Sequence, residues 1–397
     1  MKVPVREFGK TGVQMPVLTC GGMRYQQSWD DCSLREIDKK GQQNLEACIE
    51  QALDYGINHI ETARGYGTSE MQLGQVLPRF DRDRLLVQTK IGPKQTAKEF
   101  LEVFETSMKN LKLEYVDFLS IHGINLPEHV DMCLKKGGPM DAIRQLQKEG
   151  RVRFCGFSTH AGPDVVVPAC ETGEFDYVNL HWYFVYNMFH TPMLEAAAKQ
   201  NMGVLIISPN EKGGRLFDPP PKLKKLCEPL SPMQWNDLYC LSRPEVSTLS
   251  IGASQPSDFD EHVVAVTKYW EQKEERSKSI TQKIEAELER VLGAQWMQHW
   301  TDGLPHYTQA PNQINVREIL RLWTFYKGLD LESFGKMRYN LLGNAEHWFP
   351  GEQAIDVEKL DWSVLKENPF ADQIPEILAQ AHQVFYEKPA KRLSEGG

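Results

Sequence analysis

Residues 43–62, QNLEACIEQALDYGINHIET, contain the structural unit on which the fold prediction rests. Apolar residues spaced three and four apart predict an amphipathic helix with one buried stripe, formed by Leu45, Cys48, Ile49, Ala52 and Leu53. Gly56 is the residue type that commonly ends a helix, and the apolar run NHIET (58–62) that follows it predicts a buried strand. A helix that leads directly into a buried strand is typical of α/β proteins.

Short apolar runs of the same kind recur along the chain, and helical patterns separate most of them. Eight candidate strands result: MPVLTCG (15–21), NHIET (58–62), LLVQTK (85–90), YVDFLSIH (115–122), VRFCGFS (152–158), YVNLHW (177–182), GVLIIS (203–208) and STLSIG (247–252). Eight strand–helix units in about 250 residues predict a (β/α)8 TIM barrel. A doubly wound sheet is the alternative, but no G-x-G-x-x-G motif follows a strand.

The composition is that of an acidic globular chain. Its 397 residues carry a formal net charge of −9, and 41% of them are hydrophobic. A negative surface does not suit phosphate backbones or anionic lipids, so neither nucleic acid nor a membrane is expected as a partner. No signal-peptide pattern and no run of about eighteen apolar residues is present, which favours a cytoplasmic protein.

Polar residues close several of the predicted strands. Glu61 ends the second strand, Lys90 the third and His122 the fourth, and Tyr66 lies on the loop after the second. The carboxyl ends of barrel strands surround one mouth, where catalytic residues collect. Each residue alone also has a structural explanation, such as a solvated lysine at a strand end. Their occurrence together at one end of the barrel favours catalysis.

Tyr66 is the candidate general acid of this group. A free tyrosine has a pKa of ~10, and a neighbouring ammonium such as that of Lys90 lowers a phenol pKa by stabilising the phenolate. Glu61 would keep Lys90 charged and oriented, while His122 would hydrogen-bond the carbonyl oxygen of a substrate. The four residues could therefore protonate a carbonyl oxygen as a hydride reaches its carbon.

Longer stretches around these residues resemble the aldo-keto reductase family. GINHIETARGYGTSEMQLGQVL (56–77) is similar to the family signature, LLVQTKIG to the strand with the family lysine, and YVDFLSIHGIN to the strand with its histidine. VREFGKTGVQMPVLTCGGMR and GRVRFCGFSTH are similar to the first hairpin with its cofactor loop and to the fifth strand. The resemblance covers about 1–270 and implies NAD(P)H-dependent reduction of a small carbonyl substrate, with Tyr66 as proton donor and Glu61 in the place of an aspartate.

The same resemblance implies the cofactor-binding residues. Ser158 and Thr159 would hold the nicotinamide carboxamide, the loop 208–216 would wrap the pyrophosphate, and 251–263 would form the adenosine site. The full set implied is Gly22, Met23, Ser158, Thr159, Ser208, Pro209, Gly213, Gly214, Arg215, Gly252, Ser254 and Glu261.

Two residues depart from the family pattern at the cofactor. Ile207 stands where an aromatic residue usually stacks on the nicotinamide, and Asp258 stands where many members have an arginine for the 2′-phosphate. The family implies NADP(H), and the carboxylate of Asp258 leaves NAD(H) open, because it would repel a phosphate. No metal site is expected, since the eight cysteines are scattered and form no C-x-x-C pair.

The last part, 271–397, is predicted to be a separate α-helical domain after the barrel of 1–270. It resembles the ferredoxin-like tail that some aldo-keto reductases carry, yet no cysteine lies beyond Cys240. Iron–sulfur clusters need thiolate ligands, so this tail is expected to hold no cluster. Its aromatic residues, Trp296, Trp300, Trp323, Phe325, Trp348 and Phe349, are expected to form a packed core instead.

Three functions compete for this sequence. The first is a carbonyl reductase, which the complete set Tyr66, Lys90 and His122 favours. The second is a regulatory protein on the same fold that binds the cofactor with little turnover, which the departures at Glu61 and Ile207 allow. The third is an electron-transfer enzyme with clusters, and the positions of the cysteines argue against it.

Overall fold

The computed structural model of the protein describes residues 1–387 and contains ten β-strands. They are β1 Val5–Glu7, β2 Gln14–Pro16, β3 Leu18–Gly21, β4 His59–Glu61, β5 Leu86–Ile91, β6 Val116–His122, β7 Val152–Ser158, β8 Tyr177–Leu180, β9 Gly203–Ile206 and β10 Thr248–Ile251. β1 and β2 form an antiparallel hairpin, and the other strands close a barrel in the order β10-β3-β4-β5-β6-β7-β8-β9. All neighbours in the barrel are parallel. The predicted (β/α)8 barrel is therefore confirmed, and the alternative of a doubly wound sheet is wrong.

Fifteen α-helices lie in the part of the chain that the structure describes. They are α1 Lys39–Asp54, α2 Ser69–Leu73, α3 Ala97–Leu111, α4 Pro127–Leu134, α5 Pro139–Lys148, α6 Pro163–Glu171, α7 Asn187–Lys199, α8 Pro221–Cys227, α9 Pro232–Leu241, α10 Asp260–Lys268, α11 Lys273–Leu292, α12 Ala294–His299, α13 Val316–Leu329, α14 Glu332–Tyr339 and α15 Ile374–Phe385. α1 buries Leu45, Cys48, Ile49 and Ala52 of the predicted stripe. Among these helices, none is both long and apolar enough to cross a membrane.

Phe8 of the amino-terminal hairpin fills the end of the barrel where the strands begin. It is fully buried with Met15, Phe118 and Tyr177, and its ring meets that of Phe118 edge-on at 5.4 Å. Gly203 opens β9 beside this ring, where a Cβ would lie only 2.5 Å from Phe8. Because side chains close this end, the strands' carboxyl ends are left as the mouth in which a site can form.

The chain divides into two compact units. The first contains Met1–Pro209 and Asp237–Glu274, and hence the whole barrel. The second contains Asn210–Asn236 together with the described residues from Glu275 onward. The segment 210–236 thus clusters with the C-terminal part, although the sequence patterns predict it to be part of the barrel domain. Residues 388–397 of the predicted C-terminal domain lie outside the described residues.

Trp296 is the centre of an aromatic cluster in the second unit. Its ring lies parallel to that of Trp300 at 6.2 Å and contacts Trp323 at 5.3 Å and Phe370 at 5.0 Å. The indole nitrogen donates a hydrogen bond to the Thr324 hydroxyl, 3.1 Å away. Of the other aromatic residues predicted for this core, Phe325 and Phe349 are buried, whereas Trp348 is half-buried.

Candidate active site

The residues singled out at the strand ends lie at the same mouth of the barrel. Glu61 closes β4, Lys90 is the penultimate residue of β5, His122 closes β6 and Ser158 closes β7. The strand register pairs His122 with Ser158 directly. The structure thus gathers at one mouth residues that lie far apart in the sequence.

Lys90 makes the central contacts of the site. Its side chain is 1% exposed, and its ammonium group donates to three acceptors. One is the carboxylate of Glu61, the second is the carbonyl oxygen of Thr62 at 2.8 Å, and the third is the hydroxyl of Tyr66 at 3.2 Å. An ammonium has three N–H groups, so these contacts fix the direction in which it points.

Opposing effects act on the charge of Lys90. Burial lowers its pKa well below the usual range, because the low-dielectric interior disfavours the ammonium. The Glu61 carboxylate, itself only 4% exposed, touches the ammonium and favours the charged form. The charge of Lys90 therefore depends on Glu61, because a buried ammonium stays charged only while a carboxylate is held against it.

Tyr66 and His122 form the more accessible part of the site. Both side chains are half-buried, and their rings meet edge-on with centroids 5.5 Å apart. Gly65 precedes Tyr66, and a Cβ at this position would lie 3.5 Å from Nδ1 of His122. A phenol, an imidazole and an ammonium thus lie within one small region, an arrangement that can donate a proton to an oxygen atom.

Asn179 on β8 is a residue that no sequence pattern singled out. It is fully buried and in register with Ser158, yet neither the oxygen nor the nitrogen of its amide has a hydrogen-bond partner within the described chain. A buried amide left unpaired is costly and implies a ligand with both a donor and an acceptor. A nicotinamide carboxamide offers both, so the residues here fit a nicotinamide cofactor.

Ser158 and Thr159 lie beside this amide but are bound differently. The Ser158 hydroxyl accepts a weak bond from the backbone nitrogen of Gly123 at 3.2 Å and keeps its own proton for another partner. The Thr159 hydroxyl donates to the carbonyl oxygen of Ile124 at 2.7 Å and accepts from the backbone nitrogen of Ala161 at 2.9 Å. Ser158 therefore suits a ligand better than Thr159 does.

The remaining residues implied for the cofactor fall into two groups. Gly22, Met23, Ser208, Pro209, Gly252, Ser254 and Glu261 belong to the unit that contains the barrel, whereas Gly213, Gly214 and Arg215 belong to the second unit. Gly22 directly follows β3, and a Cβ there would lie 2.7 Å from the carbonyl oxygen of Glu61. Gly22 therefore allows the end of β3 to lie close to the backbone of Glu61.

Asp258 caps the loop that leads into α10. Its carboxylate accepts hydrogen bonds from the backbone nitrogens of Ser254 at 2.8 Å and Gln255 at 3.3 Å. These amides are the kind of donors that bind a phosphate. Here the protein's own carboxylate takes them, so the loop already carries a negative charge.

Known oxidoreductases are similar to this chain in sequence. L-galactose dehydrogenase of Arabidopsis thaliana is 24% identical over 332 residues, 76% of this chain and 98% of that protein. The NADH-specific methylglyoxal reductase of Escherichia coli is 24% identical over 197 residues, 44% of this chain and 59% of that protein.

The holo form of an aldo-keto reductase from Bacillus halodurans has the same fold, with a TM-score of 0.57, 19% identity, and coverage of 70% of this chain and 96% of that one. The sequence model of the aldo/keto reductase family matches residues 17–222, more than half of the 397 residues. The protein belongs to the aldo/keto reductase family of oxidoreductases.

Proposed function

We propose that this protein is an NAD(P)H-dependent reductase that converts an aldehyde or ketone to an alcohol, with Tyr66 as the proton donor. The observation that carries the proposal is the hydrogen bond of 3.2 Å from the Lys90 ammonium to the Tyr66 hydroxyl. An ammonium at this distance stabilises the phenolate that remains after the proton has left. The family's small carbonyl substrates would meet Tyr66 and His122 at the mouth.

The cofactor, when bound, supplies the hydride that adds to the carbonyl carbon. His122 donates a hydrogen bond to the carbonyl oxygen, and Tyr66 transfers its phenolic proton to that oxygen. Lys90 stays charged against Glu61 and stabilises the phenolate until a proton returns from solvent. In this scheme Ser158 and Asn179 would hold the carboxamide of the cofactor, which would supply the hydride.

Asp258 makes NAD(H) as well suited as NADP(H). Its carboxylate is bound to two loop amides, and a 2′-phosphate placed near it would be repelled. Fluorescence titrations with NADH and NADPH test this, for the wild type and for Asp258→Asn. We expect wild-type discrimination against NADH below ~10²-fold and a shift toward NADPH in the variant. A strong NADPH preference that the substitution leaves unchanged would contradict a role for Asp258.

The function itself is tested by following the absorbance of NADH or NADPH with a panel of aldehydes and ketones. A reductase consumes the cofactor in proportion to the carbonyl present and releases the alcohol. The alternative of a regulatory protein predicts tight cofactor binding without this consumption. Cofactor binding together with no turnover on any member of the panel would therefore replace the reductase by that alternative.

A further inference from the structure

Ser250 on β10 donates a hydrogen bond of 3.3 Å to the second carboxylate oxygen of Glu61 on β4. The catalytic roles proposed above do not include Ser250. We propose that Ser250 is a positioning residue of the active site, which works with the space left by Gly21 to hold the Glu61 carboxylate against Lys90. The inference rests on the proposed function and adds a residue to it.

Gly21 makes the contact possible. In the barrel, β3 lies between β10 and β4, so a side chain on β10 must pass β3 to reach Glu61. Gly21 is the residue of β3 that is in register with Glu61. A Cβ at this position would lie 2.6 Å from the Ser250 hydroxyl oxygen and 3.5 Å from the Glu61 carboxylate. Any larger residue would therefore fill the gap in which the two side chains meet.

The contact between Ser250 and Glu61 restrains a side chain that is longer than an aspartate. The family signature has an aspartate here, and glutamate has one more rotatable bond by which its carboxylate can turn away from Lys90. In this protein Lys90 binds one carboxylate oxygen of Glu61, and Ser250 binds the other. Because both oxygens have a partner, rotation of the longer side chain away from Lys90 would break two contacts.

Little water reaches the hydrogen bond between Ser250 and Glu61, so its loss should have a measurable effect. Ser250 and Glu61 are both buried, so water replaces a lost partner poorly. Without the serine hydroxyl, Glu61 can adopt other rotamers, and the ammonium of Lys90 loses part of the charge that offsets its burial. The phenolate of Tyr66 then loses stabilisation at the moment when the proton leaves. Cofactor binding does not depend on this chain of contacts.

The direct test compares Ser250→Ala with Ser247→Ala. Ser247 precedes β10 by one residue, and its hydroxyl accepts only a weak bond of 3.4 Å from the Val204 nitrogen. We expect Ser250→Ala to lower kcat about tenfold, the effect of one hydrogen bond to a charged group, and to leave the Kd of the cofactor within twofold. The pKa of Lys90, followed by NMR of 15N-lysine-labelled protein, should fall in Ser250→Ala and stay unchanged in Ser247→Ala.

Two further variants separate positioning from general stability. In Glu61→Asp the shorter carboxylate cannot bridge both partners, so adding Ser250→Ala to it should cost almost nothing. Gly21→Ala should lower kcat by displacing the serine hydroxyl. Adding Ser250→Ala to Gly21→Ala should then cause little further loss. Additive losses in either pair would overturn the proposal.

The outcomes distinguish this inference from the proposed function. If the wild type reduces no carbonyl, the proposed function fails, but the Lys90 pKa still decides whether Ser250 acts through Glu61. A Ser250→Ala variant with wild-type kcat, or one whose melting temperature falls while the pKa of Lys90 stays unchanged, would overturn the inference.

Discussion

The ammonium nitrogen of Lys90 lies 3.2 Å from the phenolic oxygen of Tyr66 and 4.4 Å from the centroid of the same ring. It thus stands beside the atom that would give up a proton. Two other contacts, to the Glu61 carboxylate and to the carbonyl oxygen of Thr62, hold it there. Residues of β4, of β5 and of the loop between them thus meet around the ammonium of Lys90.

Removing one member of the buried pair of Lys90 and Glu61 should destabilise the protein strongly, whereas removing both members should destabilise it much less. Either Glu61→Leu or Lys90→Met leaves one charge buried without its partner, which costs about 3–5 kcal/mol of unfolding free energy. The double variant removes both charges and should recover most of the stability, although all three variants should be inactive. Urea unfolding measures these differences. Single losses below about 1 kcal/mol would show that the charges are not coupled as the structure indicates.

Asn179 should have opposite effects on stability and on binding. Asn179→Leu removes two buried amide atoms that lack a partner within the described chain, so the protein without cofactor should gain about 1–3 kcal/mol. The same change removes the donor and acceptor proposed for the carboxamide, so the Kd of the cofactor should rise about tenfold.

Urea unfolding without cofactor and fluorescence titration with NADH and NADPH check the two effects of Asn179→Leu. Asn58→Leu is the control, since Asn58 donates to the carbonyl oxygen of Arg84, in the loop that precedes β5. A variant at 179 that binds the cofactor as the wild type does would rule out this residue as a cofactor ligand.

The architecture could be predicted from the sequence, because it depends on local patterns. The apolar stripe from Leu45 to Leu53 predicts a helix, and the apolar run at 58–62 predicts a strand. Eight repeats of such helix and strand units are compatible with only a few topologies. Lys90 and Glu61 could be proposed as a pair because parallel strands bring their carboxyl ends together.

Asn179 and Ser250 could not be recognised in this way. An asparagine in a buried strand has no sequence signal for whether its amide is paired, since its partners come from distant segments. The meeting of Ser250 with Glu61 depends on the missing side chain of Gly21, which lies on the strand between them.

His59 should make the stability of the protein sensitive to acid. Burial and, to a lesser extent, the positive charge of Lys90 lower its pKa to about 3, whereas an unfolded histidine has a pKa of ~6.5. The unfolded chain therefore binds the proton first, so stability is complete above pH ~6.5 and is lost as the pH falls toward 3. Between pH 7 and pH 5 this residue should account for a loss of about 2 kcal/mol.

The variant His59→Asn provides the comparison for this pH dependence. An asparagine can retain the bond that His59 Nδ1 makes with the Thr19 hydroxyl at 2.8 Å, but it does not titrate. Denaturant unfolding at pH 7, 6 and 5 should show a steeper decline for the wild type than for the variant. Parallel declines would mean that His59 takes up a proton as readily in the folded protein as in the unfolded chain.

The most direct test of proton donation by Tyr66 during carbonyl reduction is the single-turnover rate of Tyr66→Phe with bound NADH or NADPH. This substitution removes one hydroxyl and keeps the ring beside His122 and Lys90. We expect the rate of reduction to fall ~10²–10⁴-fold, while the Kd of the cofactor stays within about twofold of the wild-type value. A Tyr66→Phe variant that reduces a good aldehyde substrate at close to the wild-type rate would contradict the assignment of Tyr66 as the proton donor.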